Sequence, residues 1–295
     1  VDRKDGLVIG EIELAYRFLK GRIVGITGSN GKTTTTTLIG ELLKNAGIVT
    51  QVGGNIGTPL LNIAETSTDD SWTVVELSSF QLETIKEFHP NVAICLNVTP
   101  NHLDRYDSFT DYAAAKHRIF MNQTADDVAV LNADDEITAS WASGLKENVV
   151  QFSVKCELDE GLFLRGRELV CRSRGKEKIL TTRDDIFLRG LHNVENVLAA
   201  FAAGLACGAD PASMCETAAN FKGVEHRIEY VATIDGIAFY NDSKATSVDA
   251  AVKALEAISE GNAKTVLILG GRGKNAPYAP LAPLIEKSVR GIVVI

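Results

Sequence analysis

No apolar run in this 295-residue chain is long enough to cross a bilayer. Nothing at its N-terminus has the basic, apolar, small-residue order of a secretory leader. Cysteine is sparse and unpaired: Cys95, Cys156, Cys171, Cys207 and Cys215 are odd in number, scattered, and never arranged as C-x-x-C. That pattern argues against a disulfide framework or a zinc site and for a reducing compartment, so a cytoplasmic protein without membrane attachment is expected. Positive charge is not in excess either. A formal net charge of −8 offers no basic face for nucleic acid. The nucleophile elbow G-x-S-x-G is missing, and so is the N-K-x-D base motif of a G-protein. An initiating Met is also lacking, and the chain ends on the buried-strand pattern "GIVVI", so a fragment of a longer protein is expected.

What is present is an ordinary soluble composition, 45% hydrophobic and 23% charged, over a length that suits one large or two ordinary domains. Short apolar strands alternate with helical stretches from Arg22 to about Asn132. "RIVGIT", "WTVVEL", "VAICLNV" and "DVAVLN" read as strands, and "LIGELLKNAG" and "DYAAAKHRIFM" as helices. This is the βαβ pattern of a parallel sheet covered by helices. From about Val149 to Thr182 the runs shorten and Gly turns appear, which predicts antiparallel hairpins. "HNVENVLAAFAAGLACG" predicts an Ala-rich helix. After "NFKG" the α/β pattern restarts with "IEYVAT", "IAFYN", "SVDAAVKALEAI", "TVLILG" and "GIVVI". The expected fold is α/β: a P-loop-type mononucleotide-binding domain over 1–223, mostly parallel with a small antiparallel part. An incomplete Rossmann-like α/β domain over 224–295 follows it.

The stretch "ITGSNGKTTTTT" carries the first chemistry. Strict P-loop spacing fails, because the position five before Gly31 is Ile26; what stands is Gly25-x-x-Gly28-x-x-Gly31-Lys32-Thr33. Its physics is unchanged. Glycines allow backbone N–H groups close to phosphate, Lys32 reaches outer phosphates and the Thr33 hydroxyl can ligate Mg²⁺. The bland alternative is a glycine turn with a solvated lysine. Thr33 and Thr34 are the functional candidates of the threonine run, whereas Thr36 and Thr37 read as packing.

Two strand ends and one helix then offer metal or phosphate ligands. Glu76 closes "WTVVE", at the carboxyl rim where open α/β sheets bind ligands. His102 and Asp104, in "LNVTPNHLDRY", follow the next strand onto the same rim. Each has a plain alternative: a solvated glutamate, a structural histidine. Lys116, in "AAAKHRIF", reads as a solvated or paired lysine unless CO₂ converts it to a carbamate, which would replace a cation by an anion beside Mg²⁺.

In order along the chain, "TGSNGKTTT", "GGNIGTPL", "ELSSFQLE", "LNVTPNHLDRY", "AAAKHRIF", "LNADD", "GLHNVENVLAA", "GVEHRIEY", "NDSKATS" and "GGRGK" resemble the Mur ligases, from about residue 7 to the end. The resemblance implies three domains, of which this chain would hold the central ATPase domain and the first part of the last. A preceding UDP-binding domain and the C-terminal tail would be absent. It implies that Gly28, Ser29, Asn30, Gly31, Lys32, Thr33 and Thr34 hold ATP phosphates, with Lys32, Lys116 and His102 catalytic. Thr33, Glu76, His102 and carbamylated Lys116 would serve two Mg²⁺ ions. Asn193, Asn196, Arg227 and Asp242 match nucleotide-binding positions, and Asn132 and Asp134 lie where the base is expected. Asn55, Ser79 and Gln81 would face the muramoyl substrate. Lys244, Thr246 and Lys274 would meet the incoming amino acid or its product.

"SSFQLE", "HLDRY", "HRIE" and "NDSKATS" are most similar to the branch that joins D-glutamate to UDP-N-acetylmuramoyl-L-alanine, as a monomer, through an acyl phosphate. Cations must screen the two anions that meet, and the acyl phosphate must be kept from water. Three rivals stand beside it: a sibling Mur or folylpolyglutamate-type ligase, a P-loop switch or transport NTPase, and a nucleotide-binding fragment without turnover.

Overall fold

The computed structural model describes residues 9–100, 105–146, 148–245, 248–258, 264–271 and 277–295. It divides into two compact units. One holds the chain up to Ile186 together with Glu195–Asn220, and the other holds Phe187–Val194 and Phe221–Ile295.

The first unit begins with helix α1 (Glu11–Tyr16) and strand β1 (Arg22–Thr27), followed by α2 (Lys32–Asn45), β2 (Thr50–Gly54), α3 (Leu60–Ala64) and β3 (Trp72–Glu76). Next come α4 (Ser79–Glu83), β4 (Val92–Cys95), α5 (Phe109–His117), β5 (Val128–Asn132), α6 (Glu136–Trp141) and β6 (Asn148–Ser153). Strands β7 (Gly161–Arg165), β8 (Glu168–Ser173) and β9 (Lys176–Thr182) and helices α7 (Leu191–Ala206) and α8 (Pro211–Asn220) follow, the division between units falling in the first turn of α7.

The strands form one nine-stranded sheet in the order β2-β3-β1-β4-β5-β6-β7-β8-β9. Every pairing from β2 to β7 is parallel, and only β7–β8 and β8–β9 are antiparallel. The hairpin expectation was therefore right for 161–182 but began too early. Strand β6 joins the parallel sheet beside β5, because Phe152 and Ser153 are buried there rather than turned back on a hairpin. β1 and β3 are apolar almost throughout because helices cover both faces, as parallel sheets require. Strand order reverses at β1, flanked by β3 and β4, and such a switch point opens a crevice at the strands' carboxyl ends.

Core packing explains the threonine run. Thr34, Thr35 and Thr36 are buried on α2 beside Leu38, Ile39, Leu42 and Leu43, and the Thr37 hydroxyl donates back to the Thr33 carbonyl at 2.9 Å. The β-branched residues weaken an isolated helix, but here packing holds it.

In the second unit β10 (Glu229–Ile234) and β11 (Ile237–Asn241) form an antiparallel hairpin. Helix α9 (Val248–Ile258), strand β12 (Thr265–Leu269), helix α10 (Ala282–Ser288) and strand β13 (Val289–Val294) follow, with β12 and β13 paired in parallel. The fold is thus α/β, mostly parallel with small antiparallel parts. Among the described residues no helix is long and apolar enough to cross a membrane.

Candidate active site

The turn between β1 and α2 sits at the switch point. Gly28 has φ +152° and Gly31 φ +85°, conformations that side chains rarely adopt. A Cβ on Gly31 would lie 2.3 Å from Asn196 Oδ1, so the position has no room for one. Thr35 donates its hydroxyl to the same Asn196 oxygen at 3.3 Å, which brings α7 against the start of α2. Gly31 caps α2 without a side chain, so the helix presents its first-turn N–H groups at the crevice.

Two lysines converge on this turn. Lys32 Nζ donates to the carbonyls of Gly28 (2.9 Å) and Ser29 (3.1 Å). Lys116, almost wholly buried, donates to the same Gly28 oxygen at 2.8 Å and lies 4.7 Å from the centre of the Tyr112 ring. Burial, with the nearby Lys32 cation, pushes the Lys116 amine down to about 7. Among the described residues Lys116 is therefore neither solvated nor ion-paired, the plain reading of its place in a helix, but a buried amine of much reduced basicity.

At the end of β3, Glu76 is buried. Its Oε1 accepts from Asn55 Nδ2 at 3.1 Å, and its Oε2 has no partner among the described residues. An unsatisfied buried carboxylate oxygen costs free energy unless something cationic meets it. Asn55 is also tied by its own backbone N–H to the Glu76 carbonyl at 2.8 Å. The exposed Asn55 therefore orients Glu76 as well as facing outward.

Other expected residues have structural duties. Ser29 Oγ bonds the Thr99 carbonyl (2.9 Å) and the Tyr112 hydroxyl (3.0 Å). Gln81 closes a capping box with Ser78 at the start of α4, its Oε1 accepting from the Ser78 backbone N–H at 2.9 Å, while Ser79 is buried. Asn132 donates to the Leu96 carbonyl at 3.0 Å and accepts from the Asp134 N–H at 2.8 Å. Asp134 accepts from Ser153 and Val154. These two hold the loop after β5 and shape its surface.

In the second unit, Arg189, Asn193, Lys222, Arg227, Tyr230 and Tyr240 line a cavity of about 250 Å³ with Phe187, Leu188 and Ile228. Asp242 accepts from the Ile228 N–H at 3.1 Å; burial raises its carboxyl against the opposing pull of that bond and of Arg227. Lys244 is exposed, its backbone N–H bonded to the His226 carbonyl. His102, Asp104, Thr246 and Lys274 lie outside the described residues.

A glycine turn at the switch point of an α/β sheet, two lysines on one loop carbonyl and a buried carboxylate with one unpartnered oxygen lie on this first unit. Residues 26–204 match the model of the Mur ligase middle domain, and the chain belongs to that family. It is similar to the UDP-N-acetylmuramoylalanine–D-glutamate ligase of Koribacter versatilis (strain Ellin345), 49% identical over 99% of this chain and 64% of that protein. The protein of the same description from Geotalea daltonii is 48% identical over 98% of this chain and 63% of its own length. The chain thus spans under two thirds of these relatives. In fold it resembles MurF from Acinetobacter baumannii (TM-score 0.72, 20% identity, covering 96% of this chain and 65% of that one). It also resembles UDP-N-acetylmuramate–alanine ligase MurC from Thermotoga maritima (TM-score 0.69, 23% identity, covering 96% and 64%).

Proposed function

We propose that this chain is the ATP-binding part of an ADP-forming ligase that joins D-glutamate to UDP-N-acetylmuramoyl-L-alanine. The observation that carries the reading is the convergence of Lys32 and Lys116 on the Gly28 carbonyl, beside a helix start and the open oxygen of Glu76. Near-half identity to relatives so described supports the choice of substrates.

In the proposed reaction an oxygen of the substrate carboxylate attacks the γ-phosphorus of ATP, the bond to the β-phosphate oxygen breaks, and ADP leaves. The amine of D-glutamate then attacks the acyl carbon, loses a proton, and phosphate departs as the amide forms. Lys32 meets charge on the transferring phosphoryl group, and the first-turn N–H groups of α2 orient it. Thr33 and Glu76, with His102 and a carbamate on Lys116, would hold two Mg²⁺ ions, which neutralise phosphate charge. The Lys116 environment suits that carbamate. Only a neutral amine adds CO₂, and burial together with Lys32 favours the neutral form. The anion produced would also relieve the repulsion between the two lysines.

Residues 1–223 are assigned to the central ATP-binding domain and 224–295 to the first part of the amino-acid domain, within a monomeric cytoplasmic enzyme. Asn193, Asn196, Arg227 and Asp242 are assigned to the nucleotide. Asn55, Ser79 and Gln81 go to the muramoyl substrate, and Lys244, Thr246 and Lys274 to D-glutamate.

The test is ADP release with Mg-ATP, UDP-N-acetylmuramoyl-L-alanine and D-glutamate, on this chain beside one extended to the relatives' length. Release by the extended chain with D-glutamate, but not with L-alanine, L-lysine or meso-diaminopimelate, is expected. Turnover with another acceptor, or with none, would overturn the substrate assignment. Lys32→Ala should remove most phosphoryl transfer; wild-type rates in that variant would refute the loop assignment.

A further inference from the structure

The segment after β4 does more than carry the rim residues. The parallel ladder of β1 and β4 ends at Thr27 and Cys95, but pairing continues past both strands. Leu96 N–H donates to the Thr27 carbonyl at 3.1 Å, and Ser29 N–H donates to the Asn97 carbonyl at 2.9 Å. There the turn bends away into α2, and further along the segment the Thr99 backbone meets the turn only through the Ser29 hydroxyl, its N–H and carbonyl both 2.9 Å from Ser29 Oγ. The Asn97 side chain takes over. Its Oδ1 accepts from the Asn30 N–H at 2.9 Å, and its Nδ2 donates to the Asn30 carbonyl at 3.2 Å. The amide thus imitates one more peptide of the ladder. Its orientation is fixed by the pairing itself, because the flipped amide would set donor against donor and acceptor against acceptor.

We propose that Asn97 is a positioning residue for ATP: it holds the Asn30 peptide so that this carbonyl stays turned onto Nδ2 and away from the phosphates. The inference rests on the reading of Gly28–Thr34 as the ATP-phosphate loop. A loop that binds an anion must aim N–H groups at it and keep carbonyl oxygens off it. Glycines at 28 and 31 leave the turn free to rotate its peptides, so something outside the turn has to choose one arrangement. Among the groups named here, only Asn97 bonds both polar groups of one loop peptide residue, Asn30, through a single side chain.

The discriminating substitution is Asn97→Asp. It keeps the shape and the acceptor to the Asn30 N–H, but sets a carboxylate oxygen against the Asn30 carbonyl. Binding of ATP is measured by calorimetry on the chain extended to the relatives' length, together with KM for each substrate, kcat and the thermal midpoint. N97D should weaken ATP binding about tenfold or more, the scale of a lost charge-sensitive hydrogen bond. KM for the UDP-linked substrate and D-glutamate should stay near wild type. The protonated carboxyl restores a donor, so the ratio of N97D to wild-type affinity should rise only as pH falls toward the ordinary aspartate range near about 4. Asn97→Ala removes both bonds without adding charge, and should show a smaller, pH-independent loss confined to ATP. Wild-type ATP affinity in a folded N97D, or equal losses for every substrate, would overturn the inference. A wild-type chain that binds no ATP would overturn the phosphate-loop reading and this inference with it. One that binds ATP but ligates another amino acid would refute only the substrate assignment, and the N97D comparison would still decide the role of Asn97.

Discussion

Lys116 illustrates what a single buried charge can be used for. A lysine at that depth, 2.8 Å from a carbonyl and near a second ammonium, either gives up its proton or acquires a counter-charge. With its value near 7, the neutral fraction rises as pH increases through that point. Carbamate formation at a fixed CO₂ concentration should therefore increase from about pH 6 to about pH 8. Labelling with ¹³C-bicarbonate should give a carbamate carbonyl resonance that follows this trend and vanishes in Lys116→Ala. A resonance unchanged by that substitution would place the carbamate elsewhere. Glu76 presents the complementary case, a carboxylate with one oxygen held by Asn55 and the other open. Glu76→Gln should raise the Mg²⁺ concentration needed for half-maximal turnover several-fold while the fold is retained, read by titrating Mg²⁺ at saturating ATP. Glycine spacing made the turn and the helix start at Lys32 legible from sequence. The state of Lys116 was not, because its depth depends on Tyr112 and the turn being packed around it.

At the scale of elements, strands β1, β3, β4 and β5 were legible because strands buried on both faces read as unbroken apolar runs. Strand β2, "TQVGG", carries no such run, and only its pairing with β3 defines it. The short helix α1 was equally silent, although its Glu13 is among the most buried charges in the chain. Glu13 accepts from the backbone N–H groups of Lys86, Glu87 and Phe88 at 2.8–3.1 Å, and Arg17 lies 3.8 Å away. Burial alone would raise this carboxyl, but those N–H groups and Arg17 outweigh it and hold it below its ordinary value. A depressed carboxyl contributes stability above its unfolded value, and that contribution is lost as pH falls through the folded value. Glu13→Ala, which strands three N–H groups, should cost roughly 3 kcal/mol in urea unfolding at neutral pH. The gap between wild type and Glu13→Gln should narrow below about pH 4. A gap that widens on acidification would show that Glu13 is not held as a carboxylate.

The two units of the whole molecule differ in how completely they cover their sheets. In the first, the parallel strands lie between helices, and Val24, Val74, Ile94 and Val130 are wholly buried. In the second, the parallel pair β12–β13 leaves Val266 60%, Ile268 66%, Val293 48% and Val294 78% exposed. Val266 and Ile268 alternate with less exposed neighbours, so one face of β12 is apolar and uncovered in this chain. Parallel sheets are normally covered on both faces, and an apolar patch of this kind attracts hydrophobic probes. The sequence showed these strands by composition, but periodicity cannot tell a covered face from an open one. Anilinonaphthalene sulfonate should therefore fluoresce more strongly with this chain than with one extended to the relatives' length. The double substitution V266T/I268T should lower that signal in this chain by a factor of about two, in proportion to the apolar area removed. A signal insensitive to V266T/I268T would locate the probe on another surface, such as the exposed Val231, Ile234 and Ile237 of the β10–β11 hairpin, and the same substitution made there would identify it.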